Sequence, residues 1–131
     1  MPYINLRIGQ PLQTEQRQQL AREITRLMHQ LMGKRREVTT VHIEQGTPDS
    51  WSVDGELLQE SSPSGAYVDI KITAGTNTEA DKAAMLAQTH VLLEQVLGSV
   101  QQASYVVIDE IPASDWGYAG HSQQARRLAA A

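Results

Sequence analysis

Val68-Asp69-Ile70-Lys71-Ile72 repeats, 64 residues later, the alternation of Ile4-Asn5-Leu6-Arg7-Ile8. In both stretches apolar side chains occupy every second position, the period of a half-buried strand. A helix start follows each, at Thr14-Glu15 and at Thr78-Glu79, again 64 apart. Threonine suits an N-cap, a glutamate in the first turn suits the helix dipole, and Asp81 gives the second start a capping-box acid. Two apolar stripes then step by the same intervals, Leu20, Ile24, Leu27 and Leu31 against Met85, Thr89, Leu92 and Val96, now 65 apart. That stepping marks one face of a helix, and Gly33 and Gly98 are its expected stops.

A second strand follows in each half, over Val38 to Gln45 and over Tyr105 to Glu110, and each half closes on a tryptophan and a glycine. Trp51-Ser52-Val53-Asp54-Gly55 and Trp116-Gly117-Tyr118-Ala119-Gly120 are also 65 apart, so one extra residue lies near the second helix start. Residues 1–59 therefore read as one β-α-β unit and residues 66–120 as a second. Glu60-Ser61-Ser62-Pro63-Ser64-Gly65 is the turn-forming linker over 60–65. A helical crossover makes the two strands of each unit parallel. The expected fold is α/β, a single domain with a four-stranded sheet and two helices on one face. The other face carries Tyr3, Asn5, Arg7, Tyr67, Asp69 and Lys71 with nothing in the chain to cover it, so assembly around an axis is expected. The tail, 121–131, reads as a short helix or arm against a neighbour.

Composition narrows the function classes. The chain has 131 residues, 40% hydrophobic and 20% charged, with net charge −4 and a pI near 5.5. Nothing in that balance attracts nucleic acid, and Lys34-Arg35-Arg36 and Arg126-Arg127 are too short for a polybasic patch. Cysteine is absent, which removes disulfide and thiolate chemistry. His29, His42, His90 and His121 lack metal-ligand spacing, so neither a metal nor a cofactor is expected. No run of about eighteen apolar residues suggests a membrane span, and a soluble cytoplasmic protein is the expectation.

Pro2, directly behind Met1, is the candidate for chemistry. Removal of Met1 leaves a secondary amine that accepts a proton without any side-chain base. An α-amino group titrates near pH ~8, and a low-polarity pocket or neighbouring cations bring that value down towards neutrality, where a general base works.

Together, Pro2 ahead of an alternating strand and a Thr-Glu helix start, the Trp51 to Glu56 hairpin segment and its echo from Glu110 to Gly117 resemble the tautomerase superfamily, the 4-oxalocrotonate tautomerase type, in a tandem-fused form. The resemblance covers nearly the whole chain. It implies a homotrimer and a keto-enol isomerase in which Pro2 carries a proton between atoms of a small enol or unsaturated keto substrate. Ala66 stands where the second copy would need its own proline, so one site per chain is implied. The arginines that hold substrate carboxylates in the superfamily are missing, the corresponding positions reading Gln10-Pro11-Leu12-Gln13, Thr40, Gly75-Thr76-Asn77 and Tyr105. A dianionic substrate is therefore expected to gain little. Trp116 is the candidate apolar wall, Tyr105 a candidate donor to an enolate oxygen, and Lys71 and Arg7 candidate replacements for the missing positive charge. A non-catalytic trimeric binding or structural role is the alternative reading, and a hydratase or dehalogenase activity a third.

Overall fold

A computed structural model describes residues 1–130. Strand β1 (Tyr3–Ile8) leads into helix α1 (Thr14–Met32), a 3₁₀ turn (Arg36–Val38) and strand β2 (Thr40–Gln45). After a second 3₁₀ turn (Pro48–Ser50), β3 (Ser52–Val53) and β4 (Glu56–Leu57) form a small hairpin. The second half repeats the order: β5 (Ala66–Thr73), α2 (Glu79–Leu97), β6 (Tyr105–Ile111), then a hairpin of β7 (Gly117–Tyr118) and β8 (His121–Ser122). Helix α3 (Gln123–Ala130) follows. The main sheet runs β2-β1-β5-β6. Its outer pairs are parallel and its central pair antiparallel, with Tyr3 opposite Lys71 and Ile8 opposite Ala66. A pseudo-twofold axis between β1 and β5 thus exchanges the halves.

Alternation puts Ile4, Leu6, Ile8, Val68, Ile70 and Ile72 beneath the two helices, each at most 1% exposed. Burial of each such side chain contributes about 1.5–3 kcal/mol. Helix α1 buries Leu20, Ile24, Leu27, Met28 and Met32. Met28 and Met32 take the place expected for Leu31, because a 3.6-residue turn carries a straight stripe round the helix as it lengthens. Helix α2 buries Met85, Thr89, Leu92 and Leu93 and leaves Val96 half-buried.

Two boundaries and the placement of the tail differ from the sequence reading. The N-cap of α1 is Gln13, whose N–H donates to Gln16 Oε1 at 2.8 Å, rather than Thr14. Since Thr78 caps α2, the helix starts are 65 apart, and the extra residue lies in the loop before α2. Strand β2 begins at Thr40 because Arg36–Val38 coils into a 3₁₀ turn. The tail does form a helix, and it folds against its own second hairpin, with Gln123 N donating to Trp116 O at 2.9 Å and Gln124 N to Ala113 O at 2.9 Å.

Both hairpins turn through consecutive positive-φ residues, Asp54 and Gly55 in one and Ala119 and Gly120 in the other. This is the two-residue turn whose twist matches the strands it joins. Among the described residues no helix is long and apolar enough to cross a membrane.

Candidate active site

Strand register assembles a site at the start of β1. Pro2 immediately precedes that strand, buried, with its carbonyl accepting from Thr40 N at 3.4 Å. The antiparallel neighbour brings Lys71 opposite Tyr3. Strand β6 runs parallel to β5 and ends with Ile111 opposite Thr73, so the second hairpin emerges at this same end. Trp116 Nε1 donates to Thr73 Oγ1 at 3.1 Å and fixes the indole there. Between them lies a cavity of about 490 Å³ with Pro2, Tyr3, Val38, Lys71, Trp116 and Tyr118 in its wall.

Two cation effects act here. Lys71 Nζ donates to Asp109 Oδ2 at 2.9 Å and lies 3.4 Å from Asp69 Oδ2. The hydrogen bond to Asp109, ahead of the Asp69 charge, holds this lysine above its ordinary range, so it is a permanent ammonium. An ammonium has three N–H donors, and two carboxylates leave one for a ligand. The amine of Met1, one residue from Pro2, is pushed below the usual α-amino value, first by burial and then by the charges of Lys34 and Arg35.

Of the five residues the sequence singles out, Pro2, Trp116 and Lys71 share this cavity, and Arg7 and Tyr105 do not join them. Arg7 pairs with Tyr67, which pairs in turn with Tyr105, so all three sit at the opposite end of the sheet. Five strand residues separate Arg7 from Pro2, about 16 Å. There Arg7 Nε lies 3.4 Å from Glu44 Oε2 and the guanidinium lies over the Tyr67 ring at 5.8 Å, while Tyr105 is 68% exposed.

A second cavity of about 240 Å³ adjoins the first, and Met1, Val38 and Tyr118 line both. Its other walls include Lys34, Arg35, Arg126 and Arg127, the two basic runs that look unremarkable in sequence. They converge because Lys34 follows the glycine stop of α1 and Arg126 lies on α3, behind the hairpin that reaches Pro2. The pseudo-twofold relation between hairpin and opening strand is the signal available for this, and the 91 residues between Lys34 and Arg126 hide it.

The pseudo-equivalent position at the start of β5 is built differently. There Trp51 packs flat against the chain: a methyl group added at Gly65 would fall 2.8 Å from its Cδ2 and Cε3, and one at Gly9 2.9 Å from its Cδ1 and Nε1. Ala66, in the place of Pro2, is internal and hydrogen-bonds through its N–H to Ser104 Oγ at 3.1 Å. The largest described cavity, about 640 Å³, is also at this end, far from Pro2.

Comparison with known proteins bears on the family and the fold. The family model described as "Tautomerase enzyme" matches twice, over residues 2–61 and 67–126. A probable tautomerase K2 of Dickeya dadantii (strain 3937) is 34% identical over 61 residues, 46% of this chain and 91% of the relative. Among solved structures, a fused 4-OT described as a wild type symmetric trimer superposes with a TM-score of 0.84 at 22% identity, covering 95% of this chain and 98% of its own. A macrophage migration inhibitory factor-like protein of Entamoeba histolytica gives a TM-score of 0.75 at 20% identity, over 92% of this chain and 96% of its own. At those identities the structural likeness speaks to the fold.

Proposed function

The chain belongs to the tautomerase family and is a tautomerase-type enzyme; from that premise we propose that Pro2, freed by removal of Met1, is its general base and that the substrate is a small enol or unsaturated keto compound. The observation that carries this is the placement of Pro2 in the wall of a 490 Å³ cavity, in the surroundings that depress the neighbouring Met1 amine. An amine at Pro2 would stand one residue from that nitrogen in the wall of the same cavity, where a neutral amine can accept a proton from a ligand.

The step balances without a co-reactant. The Pro2 amine takes the hydroxyl proton of the enol, and the charge left behind spreads over oxygen and carbon. The resulting ammonium returns the proton to the carbon. The remaining N–H of Lys71 is the donor suited to the enolate oxygen, and the Trp116 indole keeps water from the reacting atoms.

Assembly as a homotrimer belongs to the same reading. The face opposite the helices is open, with Tyr105 68% and Val107 38% exposed, and β2 and β6 are free sheet edges. The fused 4-OT relative is itself a trimer.

The test has two parts. Intact mass of natively expressed protein should lack one methionine. Processed protein should ketonise a phenylenolpyruvate-like enol, and Pro2→Ala should lower kcat/KM by about 10²–10⁴-fold. Equal rates for wild type and Pro2→Ala would end the general-base assignment.

A further inference from the structure

Trp116 and Tyr118 stand in the wall of the Pro2 cavity, on a hairpin whose strands are two residues each. An isolated hairpin is marginal in water, so other groups must hold these two rings in place. Two side chains outside that cavity's wall do so. Thr73 is 4% exposed at the end of β5, where Ala74 N donates to Ile111 O at 2.8 Å. Its carbonyl accepts from Thr76 Oγ1 at 2.6 Å, and Thr76 Oγ1 accepts in turn from Lys34 Nζ at 2.8 Å. On this fixed mount its hydroxyl takes the indole N–H of Trp116. Arg126 reaches the other ring from α3. Its guanidinium lies 3.7 Å from the centroid of the Tyr118 ring, and Nη2 donates to Tyr118 O at 2.8 Å. One side chain thus grips both the ring and the main chain of a cavity residue.

The pseudo-twofold relation supplies an internal control. Gly9 stands where Thr73 stands, 64 residues earlier. A methyl group there would fall 2.9 Å from Trp51 Cδ1 and Nε1, so that indole occupies the space a threonine side chain would need. Leu58 N donates to Trp51 O at 2.9 Å as Gln123 N does to Trp116 O. Beyond Leu58 the chain turns into the linker, with Ser62 N donating to Gln59 O at 3.0 Å, and Ser61 stands in the place of Arg126. Beyond Gln123 it continues as α3, and Gln124 N donates to Ala113 O at 2.9 Å. The hairpin architecture alone therefore leaves its tryptophan flat on the chain. The ring stands off only at the end where Thr73 and α3 are added.

We propose that Thr73 and Arg126 are positioning residues of the Pro2 site, Thr73 acting through Trp116 and Arg126 through Tyr118, and that together they set the room left for the substituent of the substrate's enol. Without the Thr73 hydroxyl the half-buried indole N–H has no acceptor, and the ring turns to find one. Without the bulk of Thr73 it can settle on the chain as Trp51 does. Without Arg126 the Tyr118 ring loses its stacked partner and the main chain beneath it a donor. Each change alters how a substrate is held and leaves the nitrogen that carries the proton where it is. Binding therefore weakens while proton transfer continues. This inference rests on Pro2 as the reacting group, and the test separates the two.

Steady-state ketonisation of phenylenolpyruvate by the processed full-length protein provides the test, with hydrogen exchange of the Trp116 indole N–H as a second readout that needs no turnover. Thr73→Val, close to threonine in shape, should raise KM about three- to tenfold, the loss of one hydrogen bond. It should keep kcat within about twofold and speed exchange of that N–H. Thr73→Ser, which restores the acceptor, should return both readouts towards wild type. Arg126→Met, on the terminal helix, should also raise KM about three- to tenfold, and it covers the case in which Thr73→Val fails to fold. In a Trp116→Leu background Thr73→Val should leave KM unchanged, and in a Tyr118→Leu background so should Arg126→Met, since each acts through that ring. Unchanged KM in folded Thr73→Val and Arg126→Met proteins would overturn the proposal. So would a loss of kcat at constant KM, the mark of a smaller folded fraction, or a KM effect that persists without Trp116 and Tyr118. Slower binding-limited turnover in Thr73→Val alongside full turnover by Pro2→Ala would leave the positioning roles standing and remove the general base.

Discussion

Gly65→Ala tests whether Trp51 closes the second copy's counterpart of the active site. Two effects of opposite sign meet at this position. Replacing glycine by alanine restricts the unfolded chain and, where the backbone tolerates it, stabilises by about 0.4–1 kcal/mol; Gly65 is not among the positive-φ glycines, so that gain is open to it. Against it stands a methyl 2.8 Å from Trp51 Cδ2 and Cε3 and 3.1 Å from Cγ. Carbon atoms attract best at about 3.5–4.0 Å, so the indole must retreat by roughly 0.7 Å or more. On its other side the ring faces Gly9, where a methyl would also fall 2.9 Å from Cδ1 and Nε1, so the indole is flanked by backbone on both sides. Overpacking of this kind costs about 1–3 kcal/mol, and the steric term wins. A net loss of about 1.3 kcal/mol, at about 2.1 cal/mol/K per residue, lowers Tm by roughly 5 °C. The assay is calorimetric unfolding of both proteins at one concentration, because assembly makes Tm concentration-dependent. In a Trp51→Leu background the same substitution should cost far less, since the two side chains are in contact. Turnover at Pro2, at the other end of the sheet, should be unchanged well below Tm. A Gly65→Ala protein as stable as wild type, or an equal loss with and without Trp51, would refute the account.

Burial and then the charges of Lys34 and Arg35 lower the pKa of the Met1 amine; the same cations are expected to act on the Pro2 amine next to it, and a base works only when neutral, so activity should rise with pH through that amine's pKa. Lys34→Met or Arg35→Gln should therefore move the rising limb of kcat/KM for an uncharged enol to higher pH and reduce activity at neutrality; burial, the larger cause, remains, so the limb should stay below the ordinary α-amine value, and a pH–rate profile that does not move would exclude electrostatic tuning. Thr89 is fully buried in α2 with its hydroxyl unpartnered, so Thr89→Val should stabilise by about 1 kcal/mol, read as a Tm rise of about 3–4 °C; a fall would mean the hydroxyl has a partner after all.

The fold was legible because its signals are periodic and doubled. Strand alternation at Ile4 and Val68, the glycine stops at Gly33 and Gly98, and the Trp-Gly hairpins each appear twice, and two copies fix a pseudo-twofold axis. That axis brings the second copy's hairpin, with Trp116, beside the opening strand. The errors fell where local chemistry is ambiguous: Gln13 and Thr14 can both cap a helix, and one residue of slip there is invisible to propensity. Site residues divide along the same line. Pro2, Lys71 and Trp116 follow from strand order and register. Arg7 lies apart from them within the chain because sharing a sheet face with Tyr3 says nothing of the distance along the strand. Tyr105 lies apart for the same reason, at the start of a strand whose other end reaches the cavity. The meeting of Lys34, Gln123 and Arg126 around one small cavity is not legible in the sequence, because it depends on where a glycine stop releases the chain and on α3 folding back, neither of which has a period.

A tandem chain can do what identical short subunits cannot, because its two pseudo-equivalent positions are free to differ. A free amine occurs once per chain, at the amino terminus, so the base can be built at Pro2 and never at Ala66. Cations near Ala66 would bring repulsion without depressing any amine, and there Ser61 and Ser62 stand where Arg126 and Arg127 stand at the other end. An open cavity behind the tryptophan is also useful only beside the base. At the inert position the same hairpin residue, Trp51, lies against two glycines and is spent on packing, whereas Trp116 meets Thr73, whose hydroxyl takes its N–H and whose bulk keeps the ring off the chain. The exchange of Gly9 for Thr73 and of Gly65 for Met1 thus separates a packed end from an open one. On this logic Gly9→Thr should displace Trp51 and destabilise the fold without creating a second active site, since no amine is there to use the space.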